Sequence, residues 1–281
     1  MAEMLVDKVL EPCHAKDPLV GHPPADQAIF GRPERGHAVH RGAAGKSMQT
    51  YDIIIGHPLH AVPNSEAYPF SAIALLAIEF ESGAKGQGTG WFFSPSRIAT
   101  AAHNLYHPRA GRAKTMLIRA GWTGSGELDQ LAVSSCLVAP NWVGHWNEDD
   151  DWAIIATDHP GRAGVGWFGY QAFDGGYPPG LLLNVSGYPA DTYGAAAELA
   201  PAQLVGAGAQ YMDSGYLASA TPTAIVYTIS TGEGMSGSPV FVTLGNSRYA
   251  IGIHTQGLVT TNAGRRIDNQ LEATLNAYWS H

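Results

Sequence analysis

Gly232-Glu233-Gly234-Met235-Ser236-Gly237-Ser238-Pro239-Val240 is the stretch on which the reading of this chain turns. Its glycines permit a tight turn that other residues would resist, a serine stands inside the turn, and a strand-like run over 239–244 follows at once. Outward from it the same texture recurs. Short runs rich in β-branched and aromatic residues, at 72–80, 90–93, 97–100, 116–120, 131–138, 152–156, 181–185, 224–229 and 249–253, alternate with Gly, Pro and Asn breaks. That spacing predicts an all-β sandwich or barrel rather than alternating strands and helices. Gly245-Asn246 between two such runs predicts a hairpin turn. One helix is expected at the end, where Ile267, Leu271, Leu275 and Tyr278 fall on a single stripe at i, i+4, i+8 and i+11. No internal repeat is visible.

The chain of 281 residues is 45% hydrophobic and 14% charged, enough apolar material for a substantial core. Its net charge of -8 excludes the basic footprint that a nucleic-acid binder needs. The longest apolar stretch, around 73–78, is far short of the roughly 20 residues that span a bilayer. Residues 1–50 carry six basic and six acidic groups and show no sustained period, so they are read as an irregular N-terminal extension or pro-segment, with 51–281 as the folded domain. Glu3 and Asp7 stand where a secretory signal has a basic region, and no apolar core follows. The expectation is a cytoplasmic chain, or a secreted one from which a signal has been removed. Cys13 and Cys136 do not make a disulfide framework and are read as inert thiols. His37, His40, His57 and His60 lack a Cys or carboxylate at ligand spacing and are read as surface histidines, so no metal is expected.

Two further segments carry chemistry. Thr100-Ala101-Ala102-His103 directly follows the strand-like Arg97-Ile98-Ala99, and Asp149-Asp150-Asp151-Trp152-Ala153-Ile154-Ile155 is an acidic run ending on a strand. A serine nucleophile needs a base within hydrogen-bond reach, a third group to fix that base, and backbone N–H donors aimed at the developing oxyanion. The order here is His, then Asp 48 residues on, then Ser a further 85 residues on. An α/β-hydrolase presents Ser, acid, His around G-x-S-x-G, and here Ser238 occupies that motif's last glycine, so that alternative falls. Of the three aspartates, Asp151 directly precedes the strand and is preferred, with Asp150 left open.

Taken together, Gly88-Thr89-Gly90-Trp91-Phe92-Phe93, Ile98-Ala99-Thr100-Ala101-Ala102-His103, Asp151-Trp152-Ala153-Ile154, Gly187-Tyr188-Pro189, the serine turn, and Ile251-Gly252-Ile253-His254 resemble the chymotrypsin-fold serine peptidases, in particular the bacterial glutamyl endopeptidase (V8-like) branch. The resemblance runs from about Tyr68 to the C-terminal helix. It implies two six-stranded antiparallel barrels, split near 158–180, with the active site in the cleft between them. It further implies His103 as general base, Asp151 as its orienting carboxylate and Ser236 as nucleophile, with the N–H groups of Gly234 and Ser236 as the oxyanion hole. No cofactor is implied, and the partner is a protein or peptide substrate.

The departures from the pattern bear on specificity. Asn104 follows His103 where many animal relatives have a disulfide cysteine, in keeping with the bacterial branch. Ile54-Ile55-Gly56 superficially resembles the new N-terminus of an activated zymogen, but Met235 stands where that mechanism needs an aspartate, so 53–55 is read as ordinary packing. Ser230 replaces the aspartate that gives trypsin-like enzymes their basic preference. Thr231 and His254 match the positions that bind a substrate glutamate, so a glutamate preference at P1 is the expectation, with Glu233 as an opposing charge at the pocket rim. The alternative is a catalytically silent protease-fold module that binds peptides or a partner, with residues 1–50 as a docking or occluding arm.

Overall fold

Runs of β-branched and aromatic side chains become strands at each of the ten positions expected, and the strands extend into more polar flanks. The computed structural model describes residues 54, 58–173, 176–178, 180–190, 208–258 and 260–279. A two-residue strand β1 (His60–Ala61) precedes β2 (Ile73–Phe80), β3 (Lys85–Ser94), β4 (Arg97–Thr100), β5 (Tyr106–His107), β6 (Gly111–Ala120), β7 (Asp129–Val138) and β8 (Ala153–Thr157). After β9 (Gly169–Tyr170) come β10 (Leu182–Gly187), β11 (Tyr211–Ala220), β12 (Ala224–Tyr227), β13 (Pro239–Leu244), β14 (Ser247–Gly257) and β15 (Asn262–Arg266), then the helix α1 (Asn269–Tyr278).

Each half closes into an antiparallel barrel of six strands. In the first, the order β2-β3-β4-β8-β7-β6 returns to β2, with β5 flanking β6. In the second, β11-β10-β13-β14-β15-β12 returns to β11, with β1 added to β11 and β9 lying parallel to β14. Among the described residues, closure leaves no long unpaired edge on either sheet. Trp91, Phe92, Phe93, Ile98 and Ile155 fill the first barrel, whose cluster continues through Phe168 and Phe241 to the helix. Leu183, Val185, Ile225, Tyr227, Val240 and Ile251 fill the second.

The Gly245-Asn246 hairpin is present, joining Leu244 to Ser247. The helix docks by Leu271 and Leu275 on the first-barrel cluster and by a 2.7 Å bond from the Tyr170 hydroxyl to Asn276 Oδ1. Ile267, expected on its apolar stripe, lies before it. The Asp268 side chain accepts the Leu271 N–H at 2.8 Å and caps the helix there, while the Ile267 N–H is tied to Ile251 O. Cys136 is fully buried in β7 and His60 is exposed. Residues 1–50, with Cys13, His37 and His40, lie outside the described residues, as do His57, Ile53 and Ile55. Among the described residues no helix is long and apolar enough to cross a membrane.

Candidate active site

Two antiparallel neighbours bring the first pair of residues together. Thr100 at the end of β4 pairs with Ala153 at the start of β8, so the turn leaving one strand and the turn entering the other meet at the same rim of the barrel. His103 lies in the first turn, a short 3-10 segment Ala102–Asn104. Asp151 ends the second, a 3-10 turn Glu148–Asp150 whose Asn147 side chain accepts the Asp149 N–H. Asp151 Oδ2 lies 2.7 Å from His103 Nδ1, and Oδ1 accepts the backbone N–H of His103 at 3.0 Å. Both carboxylate oxygens therefore fix one histidine. Asp151 is buried, whereas Asp149 is exposed and bonded to the Thr223 hydroxyl, and Asp150 accepts from Asn141. Burial works against the His103 cation, but the charge and hydrogen bond of Asp151 outweigh it, and the histidine pKa is raised above its usual 6.5.

The serine turn comes from the second barrel and is held by the first. Ser236 O accepts from the backbone N–H of Thr89 at 2.9 Å and from Asn104 Nδ2 at 2.9 Å. Asn104 Nδ2 also donates to the Thr100 hydroxyl at 2.9 Å, and Thr89 Oγ1 donates to Gly234 O at 3.0 Å. Gly234 has φ +90° and Gly237 φ +92°, a region that L side chains rarely adopt; a Cβ on Gly237 would also collide with Thr89 O. This backbone leaves the Gly234 and Ser236 N–H groups without a backbone acceptor among the described residues. Ser236 is half-buried, while Ser238 is fully buried and its Oγ has no partner among the described residues. Of the two serines in the turn, Ser236 is the accessible one.

Thr231 and His254 are both buried and belong to one hydrogen-bonded wall of the second barrel. Asn262 Nδ2 donates to Thr231 Oγ1 at 2.9 Å and to Ile229 O at 2.7 Å. His254 Nδ1 lies 2.7 Å from the Tyr227 hydroxyl, and the His254 backbone joins the serine turn through Gly237 N to His254 O at 2.7 Å and His254 N to Ser238 O at 2.9 Å. Glu233 is exposed, so its charge sits in water. The Ser230 N–H donates to the buried carboxylate of Asp213 at 2.8 Å, and the Ser230 hydroxyl accepts the Ile54 N–H at 2.9 Å. Ile54 is thus engaged by a polar contact, where sequence reasoning expected apolar packing alone. Thr89, Asn104, Tyr227 and Asn262 were not singled out from the sequence as site residues. Only Thr89, inside its Gly-Thr-Gly segment, carried a local signal. Among the described residues no group of three or more His, Cys, Asp or Glu side chains is placed to hold a metal ion.

Comparison with known proteins agrees with this architecture. Residues 62–275 match the family model described as Trypsin. The Glutamyl endopeptidase of Bacillus licheniformis is 29% identical over 219 residues, covering 75% of this chain and 63% of that protein. A Bacillus subtilis protein named Extracellular metalloprotease is 27% identical over 241 residues, covering 84% of this chain and 72% of that protein. Among solved structures, one titled as a Glu endopeptidase in complex with MPD superposes with a TM-score of 0.66 at 22% identity, covering 79% of this chain and 97% of that one; at that identity the likeness speaks for the fold. Because the matched stretch begins just after β1, ends within α1 and takes in both barrels, the chain belongs to the trypsin family of serine endopeptidases.

Proposed function

We propose that this chain hydrolyses peptide bonds through an acyl-enzyme on Ser236 and prefers glutamate at P1. The observation that carries the reading is the His103–Asp151 pair, 2.7 Å apart, one residue from the Asn104 side chain that holds the Ser236 carbonyl. With Nδ1–H donating to Asp151, the neutral imidazole presents Nε2 as the base. His103 takes the Ser236 proton as Oγ attacks the scissile carbonyl. The Gly234 and Ser236 N–H groups receive the oxyanion, and His103 then returns the proton to the leaving amine. Water repeats the cycle against the acyl group.

The glutamate preference rests on Thr231 and His254, polar side chains buried in the second barrel next to the serine turn. A relative that shares 29% identity is named a glutamyl endopeptidase. A pocket with buried donors favours a carboxylate and leaves those donors unsatisfied when the charge is absent. Glu233 opposes it only weakly, since water screens an exposed carboxylate. Location follows the Bacillus subtilis relative, named as extracellular, which supports export over residence in the cytoplasm. Residues 1–50 serve as a pro-segment or a docking arm for a regulatory partner.

Two measurements test this reading. A fluorophosphonate should label the protein and not Ser236→Ala; absence of labelling would instead support the silent binding module. Peptides with Glu before the scissile bond should be cut far faster than Gln isosteres, and comparable rates, or a preference for Leu or Arg, would remove the P1 assignment.

A further inference from the structure

The peptide units of the serine turn are held by their carbonyls. Glu233 O accepts the Ala190 N–H, Gly234 O accepts the Thr89 hydroxyl at 3.0 Å, Met235 O accepts the Ser238 N–H at 3.0 Å, and Ser236 O accepts the Thr89 N–H at 2.9 Å. These peptides are trans, so the carbonyl and the N–H of each unit point in opposite directions. Anchoring Glu233 O therefore turns the Gly234 N–H away from Ala190, and anchoring Met235 O turns the Ser236 N–H away from Ser238. Glu233 O, Met235 O and Ser236 O each have a backbone N–H as anchor. Among the described residues, Gly234 O is anchored by a side chain alone.

That side chain works in two directions. Thr89 is fully buried in β3 of the first barrel. Its hydroxyl donates to Gly234 O and accepts the Tyr188 N–H at 3.0 Å; a carbonyl can only accept and a backbone N–H can only donate, so the proton has one place. The same oxygen thus holds the start of Tyr188-Pro189-Ala190, the segment whose Ala190 N–H anchors Glu233 O. Thr89 acts on both planes that meet at Gly234: directly on the 234–235 unit, and through Tyr188 on the 233–234 unit. The joint between them is a glycine at φ +90°, where the backbone resists rotation least. A Cβ on Gly234 would lie 2.8 Å from both Tyr188 O and Ala190 N, so the two segments are in close contact. Thr89 is itself fixed, since its carbonyl accepts the Thr100 hydroxyl at 2.7 Å.

We infer that Thr89 is a positioning residue whose hydroxyl keeps the Gly234 N–H aimed into the cleft, so that a developing oxyanion meets a donor already in place. The inference rests on the proposed acyl-enzyme reading for its use; the tether itself is a matter of backbone conformation. A donor that does not reorganise during the reaction stabilises the transition state more than one that must first be ordered. Loss of the hydroxyl leaves Gly234 O and the Tyr188 N–H buried and unsatisfied, and rotation at Gly234 relieves both.

The experiment compares the wild-type protein with Thr89→Val, which keeps the shape and removes the hydroxyl, and Thr89→Ser, which keeps the hydroxyl. Each is given an oxygen ester and the thionoester of the same acylated amino acid. Sulfur is a weaker acceptor than oxygen, so the thionoester draws little from the oxyanion donors. In Thr89→Val, kcat for the oxygen ester should fall about 10- to 100-fold with KM within about twofold, and the oxygen-to-thiono rate ratio should fall about tenfold. Thr89→Ser should restore both to within about threefold. An unchanged ratio in Thr89→Val, or a Thr89→Ser as impaired as Thr89→Val, would overturn the inference. Should Thr89→Val fail to fold, Thr89→Ala removes the same hydroxyl without setting a methyl against Gly234 O, and the same readings decide.

A second measurement needs no turnover. Glu-Gly occurs once in the sequence, at 233–234, so carbonyl-labelled glutamate with nitrogen-15 glycine isolates the Gly234 amide in NMR of Ser236→Ala. One sharp signal with Thr89 or Thr89→Ser, and a doubled or broadened one with Thr89→Val, supports the tether; a sharp, unshifted signal in Thr89→Val refutes it. A wild-type protein that hydrolyses neither ester while showing the tether would refute the acyl-enzyme reading and leave the tether standing.

Discussion

Asn104 Nδ2 donates to the carbonyl oxygen of Ser236 across the boundary between the barrels, at 2.9 Å, from the residue next to His103. The same nitrogen donates to the Thr100 hydroxyl on the strand that delivers the histidine. One buried amide therefore links the segment of His103 to the segment of Ser236. Asn104→Ala removes both bonds, each worth about 1 kcal/mol, and leaves Ser236 O with the Thr89 N–H. The expected result is a fall in kcat/KM and in the fluorophosphonate labelling rate of about 10- to 100-fold, with a melting temperature lowered by only a few degrees. Asn104→Asp should be at least as damaging, because a carboxylate cannot donate to the carbonyl. A labelling rate equal to wild type in both variants would show that the link does not position the serine.

The pH profile follows from the His103–Asp151 pair. In the proposed mechanism His103 acts as a base only when neutral, and the Asp151 carboxylate raises its pKa above 6.5. The rising limb of kcat/KM should accordingly have its midpoint above pH 6.5. Removing the charge in Asp151→Asn should move the midpoint down while lowering the plateau by several orders of magnitude, because the imidazole then adopts the wrong tautomer. Asp150→Asn should leave both nearly unchanged. If Asp150 is the sensitive position and Asp151 is not, the orienting acid has been misassigned. Ser236→Ala and His103→Ala should each cost several orders of magnitude in kcat, and the double variant little more.

Legibility in the sequence tracked the chemistry of each strand. The runs at 97–100 and 239–244 coincide with β4 and β13 because β-branched and aromatic residues fill their buried faces. By contrast β15, Asn262–Arg266, gave no apolar signal. It is buried through hydrogen bonds instead, with Asn262 bonded to Ile229 O and Arg265 paired with Asp268 at 2.8 Å. The same holds for β11, where Asp213, Ser214 and Gly215 interrupt any alternation and are carried by pairing with β10. At the site, His103, Asp151 and Ser236 stood out because each has a distinctive local setting. Asn104, Tyr227 and Asn262 act through partners 132, 27 and 31 residues away, and no local pattern announces a contact of that range.

Burial of His254 makes a prediction for stability in acid. Its pKa is near 6.5 when the chain is unfolded and is pushed down to about 3 in the fold. Between those values the unfolded state holds a proton that the folded state does not, so stability is lost as pH falls from 6.5 toward 3. The slope from this one group is on the order of 1 kcal/mol per pH unit. Urea unfolding of wild type and His254→Gln at pH 7 and pH 5 should show a smaller acid loss in the variant. Equal losses would place the acid sensitivity elsewhere.

The last prediction concerns residues 1–50. They show no sustained helical or strand period, and both barrels close without them, since the strand order of each returns to its starting strand within residues 73–266. The Ile54 N–H, at the start of the described residues, is bonded to the Ser230 hydroxyl next to Thr231. We propose that this extension covers the cleft and leaves it at small free-energy cost. Two versions of the chain, one starting at Met1 and one near Gln49, should therefore melt within a few degrees of each other but cleave a short Glu peptide at different rates. The rate difference should appear mainly in KM, as expected for an arm that competes with substrate for access. A large loss of melting temperature in the shorter chain would show that the segment packs as part of the core and that the boundary near residue 50 is misplaced. Identical rates and identical melting would make it an inert tail and remove the proposed docking role.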